Sequence, residues 1–270
     1  MSPTKREVTL RTMQIHCLGT TGYHPSDTRQ TSCYMLAKDG IVLDAGTGAY
    51  RLAPLIETDS IDILLSHAHL DHIAGLTFLL DVFFQRPVKT ARVWGVGSKL
   101  DAIRTHLFDE AIFPVHLRVD WMPIDELKSF SIGVGTIQKD RSAVEVDWIP
   151  QDHPGGSVAY RLRWSEPAKT LIYATDTTGD QSDATCDWMS GADLLMHECY
   201  FRDHEQEWAL KTGHCWTSRA ASIAKAAKVK KLLLTHINPL ATCDDPVEIE
   251  KALAIFPATT VANDHDVIDF

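Results

Sequence analysis

The sequence predicts an α/β fold in which two β-sheets pack against each other with helices on their outer faces. Each half of the 270-residue chain starts with short apolar segments of strand type and continues into segments with helical periodicity. Because a sheet must bury one face against another layer, the two halves are expected to meet through their sheets. Layered α/β domains commonly reach this length, so we expect a single domain spanning residues 1–270.

The first half is expected to be rich in strands. Apolar and β-branched residues cluster between Gly, Asp and Pro signals in five segments, which are residues 8–18, 33–37, 41–43, 61–65 and 91–94. Helices are predicted for residues 49–56 and 73–84, and the second of these places Leu76, Leu79 and Phe83 at helical spacing.

The second half repeats this order. Strands are predicted at residues 117–121, 130–137, 144–149, 157–164 and 171–174. Thr217 or Ser218 is the expected N-cap of an alanine-rich helix that runs to Lys228. A strand at residues 231–234 and a closing helix at residues 246–255 complete the prediction.

Composition and charge narrow the functional classes. Hydrophobic residues make up 44% of the chain and charged residues 23%, which is typical of a globular protein. The net charge of −10 argues against extensive nucleic-acid binding, although a pair of metal ions can still bind a small phosphate ester. No apolar run approaches the ~20 residues that span a bilayer, so we expect a cytoplasmic protein without membrane contact. The six cysteines form no C-x-x-C pair and are expected to be reduced.

The most informative segment is a run of ligand-type residues that directly follows a predicted strand. His67 and His69 would point to the same side if the strand ended at Ser66, because alternate side chains of a strand share a face. Asp71 and His72 would then lie in the turn into a helix. Imidazole and carboxylate groups are typical ligands of zinc and related metals. So many ligand groups for a single tetrahedral ion indicate that two ions share the site.

Three further ligand candidates also follow apolar segments, namely His153, Asp176 and His236. Each alone would more often be a turn or capping residue. Together with the first cluster they make seven nitrogen and oxygen ligands. That number suits two adjacent ions if one carboxylate bridges them and water fills the remaining positions.

The order of these motifs resembles the metallo-β-lactamase superfamily, and within it the ribonuclease Z and phosphodiesterase branch. The resemblance covers roughly residues 13–270. Its supporting segments are Leu18-Gly19-Thr20, Leu43-Asp44-Ala45-Gly46-Thr47-Gly48, Asp193-Leu194-Leu195-Met196-His197-Glu198, Gly213-His214 and Leu234-Thr235-His236. It implies a four-layered αββα sandwich, with two mixed sheets flanked by helices and two divalent metal ions at one sheet edge. Zinc is the expected metal, with manganese and iron as alternatives, and a homodimer is expected from the family.

The resemblance also assigns roles to individual residues. One ion would be held by His67, His69 and His153, the other by Asp71, His72 and His236, and Asp176 would bridge them. Glu198 and His214 would form a proton-transfer pair, although His214 could instead merely cap the following helix. The family tends to have His-Ser-Thr here, whereas this chain has His214-Cys215-Trp216-Thr217. His197 is expected to pack beside the site rather than to bind metal.

The expected mechanism starts from a metal-bridging hydroxide that attacks phosphorus in line. Asp71 would help to orient this hydroxide, and His214 would protonate the leaving alcohol. Phe83, Phe84, Phe108, Phe113, Pro114 and Trp121 could wall a pocket near the metals or simply be core. Arg29 could meet a substrate phosphate or lie in a solvent-facing turn.

The substrate prediction depends on a missing segment. Ribonuclease Z commonly has a long basic arm that clamps transfer RNA, and only a short segment separates Tyr160 from Tyr173 here. We therefore expect hydrolysis of small or cyclic phosphodiesters or RNA ends. The alternatives are transfer-RNA 3′ processing, hydrolysis of carboxylic esters, thioesters or lactones at the same metal site, and a non-enzymatic metal-dependent sensor or scaffold.

Overall fold

The first sheet is built mainly by the N-terminal half. The computed structural model describes residues 12–132 and 143–270, and its elements are named within those ranges. The first six strands are β1 Gln14–Gly19, β2 Cys33–Leu36, β3 Ile41–Leu43, β4 Ser60–Leu64, β5 Thr90–Gly95 and β6 Asp120–Pro123. They follow one another in space, and the last strand of the chain, Val267–Asp269, adds antiparallel to β1. The pairs from β3 to β6 are parallel.

The second sheet belongs to the C-terminal half. Its strands are β7 Ser129–Ile132, β8 Val144–Gln151, β9 Ser157–Ser165, β10 Ala168–Ala174, β11 Leu194–Glu198, β12 Leu232–Thr235 and β13 Thr259–Val261, in that spatial order. The pairs from β7 to β10 are antiparallel and those from β10 to β13 are parallel. Each sheet is therefore mixed, and Val267–Asp269 becomes β14 of the first sheet.

Short helices flank both sheets. They are α1 Leu70–Ile73, α2 Leu79–Gln85, α3 Gly97–Ala102, α4 Asp183–Met189, α5 Gln206–Thr212, α6 Thr217–Ala226 and α7 Ile249–Ile255. None of these helices, in the described ranges, has the length and apolar character needed to cross a bilayer.

Three separate apolar layers confirm the predicted αββα sandwich. Side chains along each strand point alternately to the two faces of the sheet. Tyr34 and Tyr173 point inward and belong to the central apolar layer between the two sheets. Ile63 faces the opposite way and packs with the helices outside the first sheet. Leu195 does the same outside the second sheet, where α6 supplies Ala221. Two sheets with an apolar layer on each side give four layers.

Several predicted elements needed correction. Residues 49–56 form two 3₁₀ turns, Thr47–Arg51 and Ala53–Leu55, because Pro54 cannot continue an α-helix. The predicted helix 73–84 is also broken by a 3₁₀ segment at Ala74–Phe78. Trp216, rather than Thr217 or Ser218, is the N-cap residue of α6, and it makes no side-chain cap. The predictions for residues 8–11 and 133–137 lie outside the described residues.

The parallel strands direct their carboxyl ends to one edge of the sandwich. β3, β4 and β5 run together in the first sheet, and β10, β11 and β12 run together in the second. β8 points the same way as β10 because each is antiparallel to β9. Residues that immediately follow these strands therefore meet at a common edge, where ligands of α/β sheets commonly bind.

Candidate metal centre

The first ligand cluster gathers three imidazoles around one oxygen of Asp176. His67 Nε2 lies 3.8 Å and His153 Nε2 lies 3.5 Å from Asp176 Oδ1. His69 Nδ1 lies 3.3 Å from His153 Nε2. One ligand atom from each of these four residues falls within 4.8 Å of the others, so the group could hold a single metal ion.

The second cluster gathers around the other oxygen of the same carboxylate. His72 Nε2 lies 3.1 Å and His236 Nε2 lies 3.3 Å from Asp176 Oδ2. Asp71 Oδ2 is 3.3 Å from His72 Nε2 and 3.2 Å from His236 Nε2. The structure thus brings all seven predicted ligand residues together, with Asp176 between the two clusters.

The protonation states in the first cluster suit metal ligation. Burial lowers the pKa of His67, His69 and His153, which favours the neutral imidazole that binds metals. His67 Nε2 is a buried atom without a hydrogen-bond partner among the described residues, and it faces the cluster. An unpaired buried nitrogen is costly unless a ligand satisfies it, so this observation fits a bound cation.

The two carboxylates are held in their charged form. Burial alone would raise the pKa of Asp176, but the charges of His236 and His72 outweigh burial and lower it well below its ordinary value. Burial also opposes ionisation of Asp71, and again the charge of His72 and the hydrogen bond from His236 lower its pKa. Both groups therefore remain carboxylates, as cation binding requires.

Asp44 is a site residue for which the sequence analysis proposed no role. Its Oδ2 accepts hydrogen bonds from His72 Nδ1 at 2.7 Å and from the Tyr173 hydroxyl at 2.6 Å. Its Oδ1 accepts from the Ser66 backbone N–H at 2.7 Å. Fixing Nδ1 of His72 leaves Nε2 for the metal cluster. A sequence signal for Asp44 was present, because it directly follows an apolar strand, as His236 does.

Gly22 gives the His236 ring its space. A Cβ at residue 22 would fall 2.2 Å from His236 Cε1. The next residue, Tyr23, donates its backbone N–H to Asp71 Oδ2 at 2.7 Å. The loop that contains Gly22 and Tyr23 therefore contacts two candidate ligands of the second cluster, His236 and Asp71.

The predicted proton-transfer pair is also assembled. His214 Nδ1 lies 3.1 Å from Glu198 Oε1, and Glu198 accepts further bonds from the backbone N–H groups of Thr177 and Cys215. Burial lowers the pKa of His214, but the charge and hydrogen bond of Glu198 outweigh this effect and raise it to about 9. The His214 ring stacks on Tyr200 with the centroids 4.7 Å apart.

The contacts of the His214 side chain do not match a helix-capping role. Its side chain bonds Glu198, and α6 begins without any side-chain cap. His214 Nδ1 also comes within 4.0 Å of Asp176 Oδ1, which places the pair beside the ligand clusters. His197 instead directs Nδ1 to the Glu198 carbonyl, as expected for a packed histidine.

The structure does not bring Arg29 or the predicted aromatic wall to the ligand clusters. The guanidinium of Arg29 bonds Thr20, the Ala262 carbonyl and Asn263, so it ties chain segments together instead of facing a substrate phosphate. The predicted aromatic wall is divided. Phe83 packs against the first sheet's outer layer, Phe84 is 86% exposed, and the others line a cavity of about 710 Å³ that contains none of the candidate ligands.

The position of the family's clamp arm is occupied by a tight turn. β9 and β10 pair as far as Ser165 with Ala168, so only Glu166 and Pro167 connect them. The chain therefore has no arm at this hairpin.

Comparison with known proteins agrees with this architecture. Residues 40–237 match the beta-lactamase superfamily domain. Ribonuclease Z of Gemmatimonas aurantiaca is 25% identical over an alignment of 300 positions. The alignment spans 94% of this chain and 95% of that protein.

Two solved structures share the fold. The metallo-beta-lactamase fold protein YhfI from Bacillus subtilis superposes with a TM-score of 0.76 at 20% identity, covering 96% of this chain and 100% of that one. The short form of human tRNase Z gives a TM-score of 0.72 at 22% identity, covering 95% and 98%. The domain match extends over most of the chain, and the sheets and strand-end clusters agree with it. The chain therefore belongs to the beta-lactamase superfamily and is a hydrolase of the metallo-β-lactamase fold.

Proposed function

We propose that this protein is a dinuclear metal-dependent phosphodiesterase that acts on small or cyclic phosphodiesters or RNA ends. The observation that carries the proposal is the arrangement around Asp176. Its two carboxylate oxygens face two separate ligand clusters, and the His214–Glu198 pair stands beside them. Two adjacent cation sites next to a proton carrier suit in-line displacement at phosphorus.

The fold implies divalent metal ions, and the residues present fit them. His67, His69 and His153 would hold one ion, Asp71, His72 and His236 the other, and Asp176 would contribute to both. Zinc suits this set of imidazoles and carboxylates, and manganese and iron accept the same ligands. The bound ions would supply Lewis acidity toward phosphoryl oxygens and toward water.

The remaining chemistry comes from the chain's own groups. Glu198 holds Nδ1 of His214, so Nε2 is the nitrogen that can pass a proton to the departing alcohol oxygen. The stack with Tyr200 keeps the imidazole plane fixed. Asp71 is held by the Tyr23 backbone N–H, which would keep its carboxylate aimed at the reacting centre.

The surface favours a small substrate. The two-residue turn between β9 and β10 leaves no arm to grip a folded RNA. The net charge of −10 repels a polyanion, and large nucleic-acid ligands need a correspondingly large positive surface.

A substrate screen tests the proposal. The zinc-loaded protein should hydrolyse bis(p-nitrophenyl) phosphate and nucleoside 2′,3′-cyclic phosphates, and His69→Ala should abolish this activity. His106→Ala, an exposed histidine outside the ligand clusters, is the matched control and should retain it. Equal activity in His69→Ala would identify a contaminant. Turnover restricted to thioesters, lactones or carboxylic esters would replace the phosphodiesterase proposal.

Transfer-RNA 3′ processing is the second candidate. It is favoured by the likeness to ribonuclease Z over nearly the full length of both chains. A precursor transfer RNA belongs in the same screen. Cleavage at its 3′ side with kcat/KM above that for the cyclic phosphates would make RNA the main substrate despite the missing arm.

A further inference from the structure

We propose that Lys99, the outer edge of His69 and the backbone at Gly155 form a second anion-binding subsite next to the metal centre. This subsite would bind a phosphate monoester that the substrate carries in addition to the phosphodiester that is cleaved. The inference rests on the proposed phosphodiesterase function and deepens it, because it assigns the substrate class.

An open space lies between the two side chains. An atom placed at the Cβ position of Gly155 would be 3.7 Å from His69 Nε2 and 3.8 Å from Lys99 Nζ, and no other heavy atom of the described residues, apart from the two chain neighbours, would lie within 4 Å. These are ordinary contact distances, so the space admits a ligand atom. Gly155 has φ +80°, and its missing side chain keeps the space open.

The edge of His69 that faces this space would be a donor in the metal-bound protein. His69 Nδ1 faces the first ligand cluster, 3.3 Å from His153 Nε2. A neutral imidazole whose Nδ1 binds a metal carries its proton on Nε2. The Nε2–H group would therefore donate toward an anion beside Lys99.

Lys99 brings a positive charge that no carboxylate cancels. Among the described residues its ammonium donates to the Gly155 carbonyl, and no acidic side chain lies within ion-pair distance. Arg219, by contrast, is engaged, because it donates to the Gly179 carbonyl and to Gln181. On a molecule with net charge −10, an uncompensated ammonium beside the metal centre creates a local preference for an anionic group.

These features point to a substrate with two phosphates. The scissile phosphodiester would lie at the metal clusters, and a neighbouring phosphate monoester would lie between Lys99 and His69. Hydrogen bonds to charged groups contribute more net free energy than those between neutral groups. The second phosphate should therefore raise kcat/KM measurably.

A pair of substrates isolates the subsite. Thymidine 5′-(p-nitrophenyl phosphate) carries the scissile diester alone, and its 3′-phosphorylated form adds one monoester. We expect the wild-type protein to prefer the phosphorylated form by roughly tenfold in kcat/KM. Lys99→Gln should reduce this preference to near one, and Lys99→Arg should retain most of it. Lys225→Gln, an exposed lysine on α6, removes the same charge elsewhere and should keep the full preference.

An undiminished preference in Lys99→Gln, or an equal loss in Lys225→Gln, would overturn the inference. Calorimetric binding of thymidine 3′,5′-bisphosphate and thymidine 5′-monophosphate to the zinc-loaded protein separates it from the proposed function. If neither diester is hydrolysed but Lys99→Gln weakens only bisphosphate binding, the phosphodiesterase proposal fails and the subsite stands. If Lys99→Gln leaves the ratio of the two affinities unchanged, the subsite fails.

Discussion

Three residues of the metal centre have backbone conformations that L-amino acids rarely adopt. Asp44, Asp176 and His236 have φ values of 54°, 51° and 54°. Asp44 and His236 directly follow the last residue of a strand, and Asp176 lies two residues after the end of β10, so all three stand where the chain turns away from a sheet. Such conformations cost about 1–3 kcal/mol each and persist where the surroundings over-determine them. Here strand pairing and the polar cluster hold them in place.

The proposed proton-transfer role of His214 predicts that its importance depends on the leaving group. His214→Ala should lower kcat by roughly 10²–10⁴-fold for a substrate that releases an alkyl alcohol, because the departing oxygen then needs a proton. The loss should be below about tenfold for p-nitrophenolate, which is stable without one. Steady-state kinetics on both substrates measures this difference. Equal losses, or a fall in bound metal, would instead make His214 a ligand.

Gly22 should be required for one metal ion. In Gly22→Ala the methyl group would collide with the His236 ring, and relief of such overpacking costs about 1–3 kcal/mol. We expect the variant to bind one equivalent of zinc fewer while keeping its far-ultraviolet circular dichroism. Gly95→Ala is the control, since its added methyl would come closest to the flexible Leu100 side chain at 3.3 Å and would lie 3.6 Å from Leu65 Cβ, which is ordinary contact. Full zinc content in Gly22→Ala would contradict this reading of the loop.

At the scale of elements, the second sheet supports the loop of the first sheet that carries four of the proposed metal ligands. The Tyr173 hydroxyl on β10 donates to Asp44, and the Tyr160 hydroxyl on β9 donates to the Leu65 carbonyl at 2.8 Å. Both tyrosines are buried in the central layer between the sheets. Because Asp44 also holds His72, a contact between sheets reaches a proposed metal ligand directly.

This connection predicts an effect of Tyr173→Phe on metal binding. Loss of the bond to Asp44 should destabilise the protein by about 1.5–3 kcal/mol and weaken zinc affinity by roughly tenfold. Denaturant unfolding and competition with a chelating dye measure the two effects. Tyr34→Phe is the matched control, because Tyr34 packs on Tyr173 at 5.7 Å but does not bond Asp44. Equal zinc affinity in the two variants would refute the connection.

The strand-end ligand candidates could be predicted from the sequence because apolar segments mark where each strand stops. Parallel pairing then brings those ends to one edge, which is why His67, Asp176 and His236 could be grouped from positions far apart in the chain. Asp44 was missed because its role depends on a bond between sheets. The role of Arg29 was left open because its partners, such as Asn263, come from the opposite end of the chain. β14 depended on tertiary contacts in the same way, because it pairs with β1 from the other end of the chain, whereas Pro54 was a local signal against the predicted helix 49–56.

At the scale of the whole molecule, the metal centre is expected to contribute to stability. Bound ions stabilise the folded state by mass action, about 2.7 kcal/mol for each ion at 100 times its Kd. Removing both with a chelator should lower the thermal midpoint by roughly 5–10 °C per ion, and added zinc should restore it. Differential scanning calorimetry measures this shift. An unchanged midpoint would mean that the folded and unfolded chains bind zinc alike or not at all.

The metal content of the purified, zinc-reconstituted protein tests the central claim most directly. If two ligand clusters share Asp176, elemental analysis should find two zinc ions per chain in the wild type. His67→Ala and His236→Ala should each lose one, from different clusters. One ion or none in the fully loaded wild-type protein would contradict the account.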